Sequence, residues 1–199
     1  MKHPEIAKRL IQTRLALGYE QTAFAEQAGV HQPVYNGFER GKRGISIATA
    51  LKIRDRFGIP LDWIFCGDAS RLPRGLSLGR SKSASRQSRG ADPAPPEAPL
   101  RRRRSLGPAR GMKFFEIANR LMAMRLALGY EAQGAFAKQI GASTLYSPWE
   151  RGKKRIPIKP AIRIRDKFGI PLDWIYCGDR RALPASLRKK LKRARGKSR

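Results

Sequence analysis

The sequence has few acidic residues, few cysteines and histidines, and no long apolar segment. Its 199 residues include 15 Asp and Glu against 43 Lys and Arg, with 2 Cys and 2 His. Cys66 and Cys177 occupy equivalent places in a repeated motif, so we do not expect them to pair with each other. Two cysteines and two histidines do not form a zinc-ligand pattern, and we expect no metal site. No apolar run approaches the roughly 20 residues that span a bilayer, so we predict no membrane partner.

The common catalytic motifs are also missing. The chain has no Gly-rich phosphate loop, no nucleophile elbow and no paired carboxylates next to a histidine. His3 and His31 have no neighbours in sequence that would make them a general acid or base. We therefore predict that the chain is not an enzyme and needs no cofactor.

The positive charge is concentrated in two segments of the chain. The net charge is +28, of which +9 falls in residues 69–111 and +10 in residues 180–199. So large a basic excess favours a polyanionic partner such as DNA, RNA or an anionic surface.

A sequence repeat sets the domain organisation. Residues 5–20 recur as 116–131 with 12 of 16 positions identical, and residues 50–68 recur as 161–179 with 15 of 19 identical. Both pairs are 111 residues apart. We interpret this as a tandem duplication with copies at residues 1–70 and 112–183.

The two segments outside these copies are predicted to lack a folded core. Residues 71–111 are rich in Pro, Arg and Ser, which is typical of a disordered basic linker. Residues 184–199 form a basic tail in which Leu187 and Leu191 are four positions apart. We expect this tail to be frayed or disordered by itself and to form a short helix on a polyanion.

The apolar spacing of the first copy predicts five short helices. The first runs over about Glu5–Leu17, and the second over Gln21–Ala28 with a left-handed turn at Gly29. A third helix follows and stops at Gly41. Ser46 is a suitable N-cap for a fourth helix, which precedes a fifth after Pro60.

The third helix presents a polar row on its outer face. Helical spacing places Tyr35 and Phe38 in the core and leaves His31, Gln32 and Asn36 facing outward. Hydrogen-bonding side chains on a rigid helix suit base reading in the major groove, with Gln32 the main candidate. The cations after the helix are candidates for DNA phosphate contacts: Arg40, Lys42 and Arg43.

This copy resembles the Cro/lambda-repressor-type (XRE-like) helix-turn-helix family. The matching features are Arg14, Gly18, Tyr19, Gln21, Ala25, Gly29, Val30, Glu39, Arg40, Gly41, Lys42, Leu61, Asp62, Trp63 and Ile64. The resemblance implies an all-α protein with two lambda-repressor-like five-helix DNA-binding domains joined by the disordered basic linker, with the basic C-terminal tail. It also implies a phosphate contact for Gln21 and structural ion pairs Arg14–Glu39 and Arg125–Glu150.

The second copy departs from the first around its third helix. It has one extra residue near Ala132 and one fewer between Gly141 and Glu150, and Pro148 replaces Gly37. We expect Pro148 to shorten or bend the helix, because proline lacks an N–H and collides with the preceding turn. Two interpretations remain open: this copy has lost specific reading and acts as a dimer-like partner or DNA clamp, or it reads a different sequence. Its candidate DNA contacts are Gln133, Ser143, Thr144 and Ser147, with Lys153, Lys154 and Arg155 on phosphate.

The sequence therefore favours a DNA-binding transcriptional regulator of the repressor type, acting on double-stranded DNA. We expect a homodimer or an intrachain pseudo-dimer, located in the cytoplasm with the nucleoid. No segment remains for a small-molecule ligand once the copies, linker and tail are assigned. One alternative is an architectural, non-specific nucleic-acid-binding protein, which would show little preference among sequences. Another is an antitoxin-type regulator that binds a protein partner.

Overall fold

A computed structural model of the chain describes residues 3–73, 76, 114–142 and 145–196, and these residues contain helices and no strands. They fall into two compact units that divide between Arg103 and Arg104, called here the first and second units. The predicted linker, residues 71–111, lies outside the described residues except for 71–73 and 76.

The first unit has five α-helices and a final 3-10 turn. The helices are α1 (Pro4–Ala16), α2 (Gln21–Gln27), α3 (Gln32–Glu39), α4 (Ile47–Phe57) and α5 (Leu61–Cys66), and the turn is Ala69–Arg71. The bounds of α1 and α2 agree with the predicted ones to within about a residue. The Oγ of Ser46 accepts a hydrogen bond from the backbone N–H of Thr49 at 3.1 Å, which caps α4 as the sequence indicates.

Aromatic side chains from three helices and a turn form the centre of the first unit. Phe24 is fully buried and stacks on Phe57 with 4.3 Å between ring centroids, while Tyr35 packs on its other side at 5.2 Å. Tyr19 meets Phe57 edge-on at 5.4 Å. This cluster holds α3 against α2 and α4, because the rings gain stability only while all three helices are in place.

Helix α5 is anchored to α1 by polar contacts as well as by packing. The guanidinium of Arg9 donates to the carbonyls of Ile64 (3.0 Å) and Phe65 (3.2 Å), which have no partner within their own helix. The indole N–H of Trp63 donates to the hydroxyl of Thr13 at 2.9 Å in the buried interior. The fifth helix therefore closes the core over α1.

The second unit begins with five helices in the same order. They are α6 (Phe115–Ala127), α7 (Gln133–Gln139), α8 (Tyr146–Glu150), α9 (Ile158–Phe168) and α10 (Leu172–Cys177), followed by a 3-10 turn at Arg180–Ala182. Arg120 repeats the contacts of Arg9, donating to the carbonyls of Ile175 and Tyr176 at 2.9 and 3.0 Å.

A sixth helix, α11 (Ala185–Gly196), completes the second unit and corrects the prediction of a frayed tail. Helix α11 packs on α6, and its Leu187 and Leu191 are 8% and 7% exposed, next to a buried Leu183. The prediction was wrong because it treated the segment as an isolated helix, for which about 12 residues are marginal in water. Burial of two leucines against a neighbouring helix supplies the stability that helix propensity alone does not.

Candidate nucleic-acid interface

The turn between α2 and α3 fixes the angle at which α3 leaves the first unit. Gly29 adopts a left-handed conformation with φ of +61°, which side chains other than glycine adopt only with strain. The N–H of Val30 donates to the carbonyl of Ala25 at 2.9 Å, and Ala25 is fully buried where the helices approach. The ammonium of Lys52 on α4 binds the carbonyl of Gly29 at 2.7 Å. The turn is therefore held from both sides.

Helix α3 has a buried face and a polar face, as its spacing predicts. Tyr35, Phe38 and Glu39 are buried, at 0%, 5% and 7% exposure. The predicted base-reading residues lie at or near the surface: His31 is exposed, and Gln32 and Asn36 are half-buried. Pro33 is the second residue of the helix, a position at which its missing N–H costs no intrahelical bond.

A hydrogen-bonded row joins this polar face to the interior; we call it the polar network. The amide nitrogen of Gln32 donates to the side-chain oxygen of Gln21 at 3.3 Å, and the amide nitrogen of Gln21 donates to Oε2 of Glu39 at 2.6 Å. Glu39 also accepts from Arg14, whose Nε lies 2.7 Å from Oε1 and whose Nη2 lies 3.3 Å from Oε2. Arg14 finally donates to the carbonyl of Tyr19 at 2.9 Å.

The inner end of the polar network is a nearly buried ion pair. The side chains of Arg14 and Glu39 are 12% and 4% exposed. The hydrogen bond to Glu39 raises the pKa of Arg14 above its ordinary value. Burial, with the carboxylate of Glu39 nearby, raises the pKa of the Tyr35 hydroxyl, so the tyrosine stays neutral. The charge in this part of the core therefore belongs to Arg14 and Glu39.

The basic loop after α3 is packed back onto the helix. Arg40, Lys42 and Arg43 are all exposed, as phosphate contacts require. The aliphatic part of Arg43 covers Gly37: a Cβ built on the glycine would lie 3.3 Å from Cδ of Arg43. The N–H groups of Lys42 and Arg43 both donate to the carbonyl of Gly37, at 3.0 and 3.1 Å. Helical spacing alone gave no indication that Gly37 makes room for this arginine.

The second unit lacks a comparable reading helix in its described part. Helix α8 has 5 residues where α3 has 8. The predicted shortening is therefore confirmed: Pro148 is the third residue of α8 and lies in its first turn, where proline meets no preceding turn. Helix α8 begins at Tyr146, and Leu145, which precedes it, is 59% exposed. Ser143 and Thr144 lie outside the described residues.

In the described residues, the ion pair of the second unit has no polar network attached to it. Arg125 reaches Glu150 through Nη2 at 2.7 Å and through Nε at 3.1 Å to both oxygens, and also donates to the carbonyls of Tyr130 and Glu131. Gln133 is half-buried, and no hydrogen bond joins it to Glu150 in the described part of this unit. The side chains of Arg125 and Glu150 are 7% and 2% exposed, so the pair lies in the core of the second unit.

The other candidate contacts of the second unit differ in exposure. Lys153 and Lys154 are exposed, and Ser147 is half-buried. The guanidinium of Arg155 lies 5.1 Å from the centre of the Phe114 ring, an arrangement typical of a cation–π contact. Lys153 and Lys154 are therefore the freer of the three predicted phosphate contacts in this loop.

Two other kinds of site are absent from the described residues. No group of three or more His, Cys, Asp or Glu side chains in ranges 3–73, 114–142 and 145–196 could hold a metal ion. None of the helices within these ranges has the length and apolar character of a membrane span.

Comparison with known proteins places a helix-turn-helix at this surface. Residues 10–64, which include α2 and α3, match the family model described as "Helix-turn-helix". The chain is also similar to the propionyl-CoA carboxylase regulator of Cereibacter sphaeroides, with 30% identity over 148 residues. That alignment covers 71% of this chain and 29% of the relative, so the chain spans less than a third of the length of that protein. No solved structure gives a significant match.

Proposed function

We propose that the chain is a DNA-binding transcriptional regulator whose helix α3 enters the major groove and reads base edges there. The observation that carries the proposal is the side chain of Gln32, which is the first residue of α3 and is held by Gln21 within a matched helix-turn-helix. An oriented glutamine amide offers a donor and an acceptor together, which is the pattern that adenine requires in the major groove. A relative whose name is that of a regulator supports the same role.

The remaining contacts follow from the arrangement around α3. His31 and Asn36 flank Gln32 on the polar face and are proposed to support base reading. The second amide N–H of Gln21 remains available for a phosphate, since its other groups are used within the polar network. Arg40, Lys42 and Arg43 bind phosphate on the other side of the helix. Such contacts fix the register of the protein on the duplex but do not read sequence.

The second unit and the basic segments are proposed to add sequence-independent affinity for DNA. Lys153 and Lys154 are exposed on a loop equivalent to that of the first unit, while α8 is too short to present a comparable polar row. Residues 180–199 carry +10 of the net charge of +28. Contacts of this kind raise affinity for all duplexes and depend strongly on salt. The sequence repeat supports a tandem duplication in which only the first copy reads bases.

Replacing Gln32 with alanine tests the proposal. We expect discrimination at one base pair of the preferred site to fall by about 1–3 kcal/mol, because one bidentate contact is removed. Affinity for unrelated DNA and its salt dependence should stay the same, since no phosphate contact changes. The measurement is a random-library binding selection with the full chain, followed by titrations of the selected and scrambled duplexes.

A matched control for this variant is Gln27→Ala. Gln27 is an exposed glutamine on the same pair of helices, but it binds Arg56 on α4 and lies outside the polar row of α3. Its replacement should leave every base preference intact. An unchanged preference in Gln32→Ala, or an equal change in Gln27→Ala, would contradict the assignment of Gln32.

A second candidate function, architectural nucleic-acid binding, is favoured by the net charge of +28. The same selection separates the two functions. A regulator should prefer its own site over scrambled DNA by about a thousandfold or more at physiological salt, whereas an architectural protein should show little preference.

A further inference from the structure

The orientation of the Gln32 amide is set by groups that lie away from the helix surface. A carboxylate can only accept hydrogen bonds, so the oxygen of Glu39 that meets Gln21 requires the amide nitrogen of Gln21 to face it, at 2.6 Å. The oxygen of Gln21 must then face Gln32, and it accepts from the amide nitrogen of Gln32 at 3.3 Å. Each amide therefore has one orientation that satisfies its neighbour.

The charge on Arg14 keeps the carboxylate in place at the start of this row. A guanidinium can only donate, so both oxygens of Glu39 are required as acceptors by Arg14, at 2.7 and 3.3 Å. Glu39 is 7% exposed, which leaves little room for its side chain to turn away.

The consequence appears at the outer end of the row. With one N–H of Gln32 committed to Gln21, its side chain presents one N–H and one carbonyl oxygen outward. That pair matches adenine, which offers N7 as acceptor and the N6 amino group as donor; it does not match guanine, which offers two acceptors. A reversed Gln32 amide would present two N–H groups and match guanine instead.

We infer that Arg14, Glu39 and Gln21 determine base specificity by fixing the direction of the Gln32 amide, so that the ion pair is a positioning device for reading as well as a core contact. The inference rests on the proposed function, because it assigns a role within the same base-reading surface. It concerns the first unit alone: in the second unit, Glu150 receives its hydrogen bonds from Arg125, and no polar network leads outward from it in the described residues.

The principal test is Glu39→Gln in the full chain. The new amide has one oxygen, which Arg14 requires, so its nitrogen must face Gln21 and reverses both glutamine amides in turn. We expect the adenine preference at the base pair read by Gln32 to fall from roughly tenfold or more to threefold or less, with guanine gaining. Preferences at other base pairs should persist. The measurement is the random-library selection, with the base pair identified as the one that Gln32→Ala relaxes.

Two further variants separate positioning from folding. Gln21→Met removes the hydrogen bonds of the amide but leaves the Arg14–Glu39 pair intact, so the first unit should stay folded and the same base preference should fall to threefold or less. Glu150→Gln makes the matched change in the second unit, and all base preferences should remain. Circular dichroism establishes that each variant is folded before selection. If Glu39→Gln is unfolded, the base preference of Gln21→Met provides the test of the inference.

The outcomes are distinct for the inference and for the proposed function. If wild-type protein selects a site and folded Gln21→Met or Glu39→Gln keeps the same ranking of bases, the inference is overturned and the proposed function stands. For Glu39→Gln, a uniform loss of affinity with an unchanged ranking of bases would overturn it in the same way, since a purely structural role would produce that result. Gln21→Met also removes the proposed phosphate contact, so for this variant only the ranking of bases is compared. If the wild-type protein selects no site, both the inference and the proposed function are contradicted.

Discussion

Replacing Glu39 with alanine is expected to lower the free energy of unfolding of the first unit by about 3–5 kcal/mol. The change leaves the guanidinium of Arg14, whose side chain is only 12% exposed, without the carboxylate that neutralises it. It also leaves the amide of Gln21 without its acceptor. A loss of this size is a large fraction of the 5–15 kcal/mol that typically stabilises a small domain.

Hydrogen exchange read by mass spectrometry is the suitable measurement, since peptides from the two units report separately on their opening. We expect amides of α3 and α5 to exchange roughly a hundredfold faster or more in Glu39→Ala, while those of the second unit do not change. Glu150→Ala should give the reverse pattern, because Glu150 and Arg125 are 2% and 7% exposed.

The double variant Arg14→Ala with Glu39→Ala supplies the control. Removing both partners leaves no stranded charge, so its cost should be clearly less than the sum of the two single changes. Additive costs would contradict the view that the two charges depend on each other. Glu26→Ala, at an exposed position on α2, should have an effect within about 0.5 kcal/mol.

The second large effect is expected at α11. Changing Leu187 or Leu191 to alanine removes a nearly buried leucine from the contact with α6 and should cost about 2–5 kcal/mol each in the docking of α11. With both changed, the amides of α11 should exchange at the rate of an unstructured chain, because a free helix of 12 residues is marginal. Protection in α6 should fall as well.

The double leucine variant also separates structure from charge in DNA binding. It keeps all the lysines and arginines of residues 184–199, whereas deleting that segment removes them. Deletion should weaken binding to all duplexes and flatten the dependence of affinity on salt, while the leucine variant should keep the salt dependence. If the salt dependence of affinity flattens as much in the leucine variant as in the deletion, the basic residues contribute to DNA binding only when α11 is packed on α6. Loss confined to the preferred site would identify the segment as a specific reader.

The sequence predicted most of the first unit because its signals are local. The succession of five helices, the cap at Ser46 and the turn at Gly29 all depend on residues within a few positions of each other. Burial of Tyr35 and Phe38 follows in the same way from helical spacing. Local propensity and apolar pattern agree throughout this unit, which is the condition under which such predictions succeed.

The features that sequence reasoning missed depend on contacts between distant residues. The polar network joins positions 14, 21, 32 and 39, and only the folded unit places them in one row. A signal was present, since glutamine is the first residue of both α2 and α3. The helical tail was missed because its stability comes from α6, nearly 70 residues away along the chain.

The residue at position 37 affects both the stability of α3 and the packing of the basic loop that follows it. Alanine there would favour the helix by about 0.8–1 kcal/mol over glycine, but its methyl group would meet the Arg43 side chain at 3.3 Å. The Arg43 side chain would have to shift by a few tenths of an ångström, which loosens its packing on α3. Helix propensity and the packing of Arg43 therefore compete at one position, and glycine favours the packing of Arg43 on α3.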